Sequence, residues 1–182
     1  MSRARFPTAR SLFEAFPELG RGSTIAPGDE TPVAYLKKLL AQDKVDEAVK
    51  FCAHLLPRRE AVWWACGCVR MLLGDIPAER AACLIAAEKW VHHPGEELQK
   101  AALKLGSESN GNDGLTWLAL AAGWSGGVLF AKSDGPVAMP HYLTGRAAGT
   151  AVLLSSIGSK LERPARLKQC VGEGIKLAEQ NL

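Results

Sequence analysis

Apolar residues return every three to four positions through almost the whole chain beyond residue 30, the period of an α-helix with one buried face. Val45, Ala48, Val49, Cys52, Leu55 and Leu56 show it most regularly. No stretch of four or more residues alternates with β-branched residues as a half-buried strand does. A chain patterned this way buries its apolar faces by packing helices on helices. The expected fold is all-α. Residues 31–182 form one domain, an irregular stack of about eight antiparallel helices in an α-hairpin or orthogonal-bundle arrangement. Residues 1–30, broken by Pro7, Pro17, Gly20, Gly22, Pro27 and Gly28, form an N-terminal arm.

Capping and breaking residues divide the pattern. In the arm, Ser11-Leu12-Phe13-Glu14 reads as a capping box that starts one short helix. Thr31 is placed to cap the first helix of the domain, with Pro32 where its missing N–H costs nothing. Asp43 is placed to open the second, and Pro57 ends it. A third runs from about residue 58 to 73, with Ala61, Trp64, Ala65, Cys68, Met71 and Leu72 in its stripe and Gly74 at its end. A fourth starts near Asp75 and Pro77. Its centre, residues 81–87, is apolar all round, so it is expected to be the central, fully buried helix. Pro94, Glu96 and Glu97 open a fifth, with acids where the helix dipole favours them. A sixth runs from about Asp113 to Trp124, with Ser125 and a left-handed Gly126 closing it. Residues 125–140, rich in glycine and proline, are expected to be a long loop. A seventh helix carries Leu143, Ala147 and Ala151, and an eighth runs from about Pro164 to Gln180.

Composition narrows the function. With 47% apolar and 23% charged residues, the chain is neither disordered nor a coiled coil. Its 22 basic and 19 acidic residues are interspersed, for a net charge of +3, which predicts no nucleic-acid partner. No apolar run reaches membrane-spanning length, and the first residues lack the apolar core of a secretory signal. Five cysteines, an odd number, fit reduced thiols in a cytoplasmic protein.

Several residue patterns touch on chemistry. Cys66 and Cys68 with nearby histidines suggest zinc, but residues two apart on a helix diverge, so no metal is expected. Gly123-Trp124-Ser125-Gly126-Gly127 matches G-x-S-x-G literally, but a helix precedes the serine where a strand is needed. No catalytic residue and no cofactor follow from these patterns.

Trp90-Val91-His92-His93-Pro94-Gly95-Glu96-Glu97, Gly114-Leu115-Thr116-Trp117-Leu118-Ala119, Gly123-Trp124-Ser125-Gly126-Gly127 and Pro140-His141-Tyr142-Leu143-Thr144-Gly145-Arg146-Ala147 carry a resemblance. From about Thr31 onward the chain resembles an uncharacterised bacterial all-helical family, a domain of unknown function whose members are often encoded near type VI secretion genes. The resemblance implies no activity and no catalytic residue.

The expected function is protein–protein interaction without catalysis: an adaptor, scaffold or chaperone-like accessory factor, with a secretion-system component as its partner. Candidate contacts are Leu12, Phe13 and Phe16 of the arm and Trp63, which points away from the stripe holding Trp64. Trp124, His141, Tyr142 and Arg146 are candidates for a cleft beside the loop. The competing reading of each is structural, with the arm packed on its own domain and Arg146 tying the loop's carbonyls to its helix. The alternative function is a small-molecule site or enzyme between the Trp124–Gly127 turn and His141–Arg146.

Overall fold

The computed structural model describes residues 5–109, 111–131, 135–158 and 162–180. The first four residues of the arm and the last two of the domain lie outside them. The fold is all-α apart from one small hairpin. The arm carries α1 (Ala9–Ala15) and a 3-10 turn (Pro17–Gly20). The domain carries α2 (Pro32–Ala41), α3 (Val45–Leu55), α4 (Arg58–Leu73), α5 (Ala82–His92), α6 (Glu96–Glu108), α7 (Gly114–Gly123), α8 (Tyr142–Ser155) and α9 (Arg163–Gln180).

The Thr31 cap stands where the sequence puts it, and Asp113, read only as a helix start, caps α7 as well. The Thr31 side chain accepts from the Ala34 N–H at 3.2 Å, and Asp113 accepts from the Thr116 N–H at 2.9 Å. Others are displaced. The arm's capping box is Thr8 with Ser11, so Ser11 is its far partner and α1 starts earlier than expected. Asp43 does not open α3. It stands at φ 56°, the left-handed region, and its carboxylate takes Lys168 at 2.7 Å. In the turn after α7 the left-handed glycine is Gly127, at φ +84°, instead of Gly126.

The expected loop contains a two-stranded antiparallel hairpin, β1 (Val128–Ala131) with β2 (Gly135–Ala138), in register Val128 to Ala138. Four-residue strands with glycine and proline in one of them carry no alternation to read.

The helix expected at the centre is an outer one. In α5 only Leu84, Ala87, Trp90 and Val91 are buried, and Ile85 is 42% exposed. Its all-round apolar run is mostly alanine, whose small side chain costs little to leave in water. The buried centre is α7 and α8. In α7, Leu115, Leu118, Ala119, Ala121 and Ala122 are all buried. Helix α8 packs on α3, α4 and α7, and α9 covers α2, α3 and α4. Gly145 and Gly149 of α8 let it lie close on α3. A Cβ on Gly145 would stand 3.1 Å from the Ala53 carbonyl, and one on Gly149 3.4 Å from the Ala53 Cβ. The residues beside these glycines, Arg146 and Thr150, are thereby brought next to α3.

The arm is folded onto this core. Leu12 and Phe16 are buried, and Phe13 sits between Tyr35 and Phe51, with ring centroids at 5.7 and 5.8 Å. Glu47 of α3 holds the following loop, accepting from the Thr24 N–H at 2.9 Å and the Thr24 hydroxyl at 2.7 Å. Tyr35 donates its hydroxyl to the Ile25 carbonyl at 2.7 Å.

Candidate functional site

Three places gather the side chains singled out in the sequence. The first is the turn after α7. Ser125 donates its hydroxyl to the Ala122 carbonyl at 2.6 Å, finishing the helix in place of a nucleophile elbow. Gln99 of α6 donates to the Gly123 carbonyl at 3.0 Å and also reaches Gly126. Trp124 meets Trp117 edge to face, 6.1 Å between centroids, and its carbonyl accepts from Thr144 at 3.0 Å. The space expected to hold a cleft between this turn and His141 is crossed by Arg58 of α4. Its guanidinium donates to the Ser125 carbonyl at 2.5 Å and meets Nδ1 of the exposed His141. Arg58, which the sequence reading missed, thus does the tying assigned to Arg146. Tyr142 is half-buried at the start of α8.

The second place is a cleft of about 390 Å³ between the arm, α3 and α8. Arg146 lines this cleft, and Trp124 and His141 are not among its lining residues. Phe13, Tyr35 and Phe51 supply apolar wall, and Arg21, Lys50 and Arg146 bring positive charge. At its inner end His54 is 5% exposed. Its Nδ1 lies 2.8 Å from the Lys50 carbonyl, so Nδ1 carries the proton and donates. Its Nε2 faces Glu18 Oε1 at 3.7 Å, and neither atom has a hydrogen-bond partner among the described residues. Burial holds the His54 pKa below the usual histidine value, against the pull of the Lys50 carbonyl and the Glu18 carboxylate. Leu12 and Phe16, expected as partner contacts, are core residues here, and Phe16 meets His54 edge to face, 5.0 Å between centroids.

The third place is a groove of about 380 Å³ between α4 and α9, lined by Trp63, Met71, Gly67 and Leu177 among others. Trp64 is buried at its floor and donates its indole N–H to the Cys170 carbonyl at 2.8 Å. That bond fixes α4 against α9 and turns the adjacent Trp63 outward, where it is 52% exposed. Cys68 and Cys170 lie beneath. Burial raises the Cys66 thiol pKa, and hydrogen bonding to Cys170 together with burial raises that of Cys68. Neither thiol has the lowered pKa a nucleophile needs. Cys66 lies near Glu88 and Arg70 while Cys68 faces Cys170, so the two diverge as helix geometry requires. Among the described residues no three His, Cys, Asp or Glu side chains converge as a metal site would need. No helix among them is long and apolar enough to cross a membrane.

The model of a family of unknown function, DUF6931, matches residues 35–178. The chain belongs to that family. The DUF6931 match takes in α3 to α9, and with them the α4–α9 groove and the Arg58 tie. Glu18 and Arg21 precede it, so the arm side of the second cleft lies outside the matched part. No curated protein and no solved structure matches the chain.

Proposed function

We propose that this chain is a non-catalytic interaction protein, an adaptor, scaffold or chaperone-like accessory factor, that engages a partner protein through the α4–α9 groove. The observation that carries the reading is Trp63. A half-exposed tryptophan over a groove with an apolar floor is the side chain most often found at the energetic centre of an interface. Met71, 37% exposed on the same helix, extends the apolar surface with a flexible side chain suited to varied shapes. The Lys176–Glu173 pair at 2.7 Å adds a polar rim. The resemblance of the sequence to proteins encoded near type VI secretion genes supports a component of that apparatus as the partner. All five cysteines are free, which suits a reducing cytoplasm.

The test is co-purification from the native cell, comparing the wild type with Trp63→Ala and with Ile85→Ala, an exposed residue on α5. Losing a central tryptophan costs about 2 kcal/mol of binding or more, about 30-fold in affinity. The expected result is one enriched protein that Trp63→Ala loses and Ile85→Ala keeps. Equal recovery by both variants would contradict the proposal.

A further inference from the structure

We propose that the cleft between the arm, α3 and α8 binds a small phosphorylated amine, with the phosphate at its mouth and the ammonium against His54 and Glu18. This site shares no lining residue with the α4–α9 groove and does not depend on it.

The inner end asks for a hydrogen-bond donor. His54 is nearly fully buried, and its Nδ1 proton is committed to the Lys50 carbonyl. Nε2 of the neutral ring therefore presents a lone pair. It looks across 3.7 Å at Glu18 Oε1, another acceptor. Buried polar atoms are almost always hydrogen-bonded, and these two are not. At that separation the two acceptors do not serve each other, and one group carrying two protons would satisfy both once the Glu18 side chain opens to admit it. The Glu18 carboxylate and the Arg5 guanidinium both act on the ring, the first raising its pKa and the second lowering it. An ammonium suits the two acceptors and pairs with the Glu18 carboxylate.

The mouth asks for an anion. Arg21, Lys50 and Arg146 line the cleft, and none of the three forms an ion pair among the described residues. The other lining carboxylate, Glu47, is held by Thr24 and Ser23 of the arm loop. Three lining cations that pair with no carboxylate favour an anionic ligand in the cleft. Two guanidinium forks and an ammonium suit the several oxygens of a dianionic phosphate. The backbone fixes this arrangement: Lys50 and His54 are one turn apart on α3, and Gly145 and Gly149 set Arg146 beside them. The cleft volume falls within the usual range for small-ligand sites.

The test is isothermal titration calorimetry on the full chain with O-phosphoethanolamine. Inorganic phosphate supplies the anion alone and ethanolamine the amine alone. Arg146→Gln removes a cation at the mouth and Glu18→Gln removes the inner charge; circular dichroism and a thermal melt confirm that each variant folds. The expected result is saturable 1:1 binding that weakens about tenfold or more in either variant and for either fragment, and several-fold between low and high salt. Absence of saturable heat up to about 10 mM ligand overturns the proposal. So does an unchanged Kd in Arg146→Gln, or inorganic phosphate binding as tightly as O-phosphoethanolamine.

Discussion

Gly145→Ala puts the close contact between α8 and α3 to a quantitative test. The added methyl would stand 2.9 Å from His54 Cδ2, 3.0 Å from Cγ and 3.1 Å from the Ala53 carbonyl oxygen. Two of these neighbours belong to a ring held by its bond to the Lys50 carbonyl at 2.8 Å, and the third is backbone. Neither can yield cheaply, so the helices must separate by a few tenths of an ångström. Overpacking of this kind costs about 1–3 kcal/mol. Alanine recovers about 0.5–1 kcal/mol of helix propensity over glycine. The balance is a net loss of at most about 2.5 kcal/mol, and about 1.2 kcal/mol at the middle of both ranges. In urea, at a slope of about 2 kcal/mol/M, that middle value lowers the midpoint by about 0.6 M with the slope unchanged. Gly172→Ala is the matched control. It lies in α9 with nothing within 4 Å of an added Cβ. Only the propensity gain remains there, so that variant is more stable by about 0.5–1 kcal/mol. If Gly145→Ala also gains stability, α8 does not lie on α3 as described and the argument fails.

Two further outcomes follow from the site geometry. The folded-state pKa of His54 lies below its unfolded value of 6.5, so the unfolded chain takes up its proton first as the pH falls. Stability therefore declines from about pH 6.5 downward, and His54→Gln flattens that decline in urea titrations between about pH 6.5 and 5. Glu18 and Arg5 face the ring with opposite effects, Glu18 raising its pKa and Arg5 lowering it. An identical pH dependence in the variant would place the titrating group elsewhere. At the start of α4, Arg58→Met removes the guanidinium that holds the Ser125 carbonyl and His141. The expected loss is about 1.5–3 kcal/mol, with faster amide exchange at Met139, whose N–H is bonded to the Gly127 carbonyl. Unchanged exchange at Met139 would show that Arg58 does not secure the turn.

The helices of the domain were legible because each is written locally, in its apolar period, its breakers and caps such as Thr31 and Asp113. What stayed hidden was set by distant partners. The apolar spacing of Leu12, Phe13 and Phe16 was plain, but that Phe13 meets Tyr35 and Phe51 and that Phe16 meets His54 are tertiary facts. The hairpin hid behind Gly135 and Pro136, since strand pairing is written in two segments at once. Arg146 drew notice, but a helix position does not reveal that it lines the cleft between the arm, α3 and α8. Arg58, Lys50 and Glu18 carried no signal, being ordinary charged residues on helix or turn surfaces. Two local signals were available. Gly145 and Gly149, four apart, mark a face for close helix approach, and His54 sits one turn after Lys50 beside buried Phe51 and Ala53.

The interaction proposal is tested most directly by a photoreactive phenylalanine analogue placed at position 63, in cells of the native host, and at position 85 for comparison. Both side chains are exposed, one over the α4–α9 groove and one on α5. The proposal predicts one discrete cross-linked adduct from position 63 that is missing from position 85 and abolished by adding Met71→Glu. No adduct at position 63, or the same adducts from both positions, would contradict it.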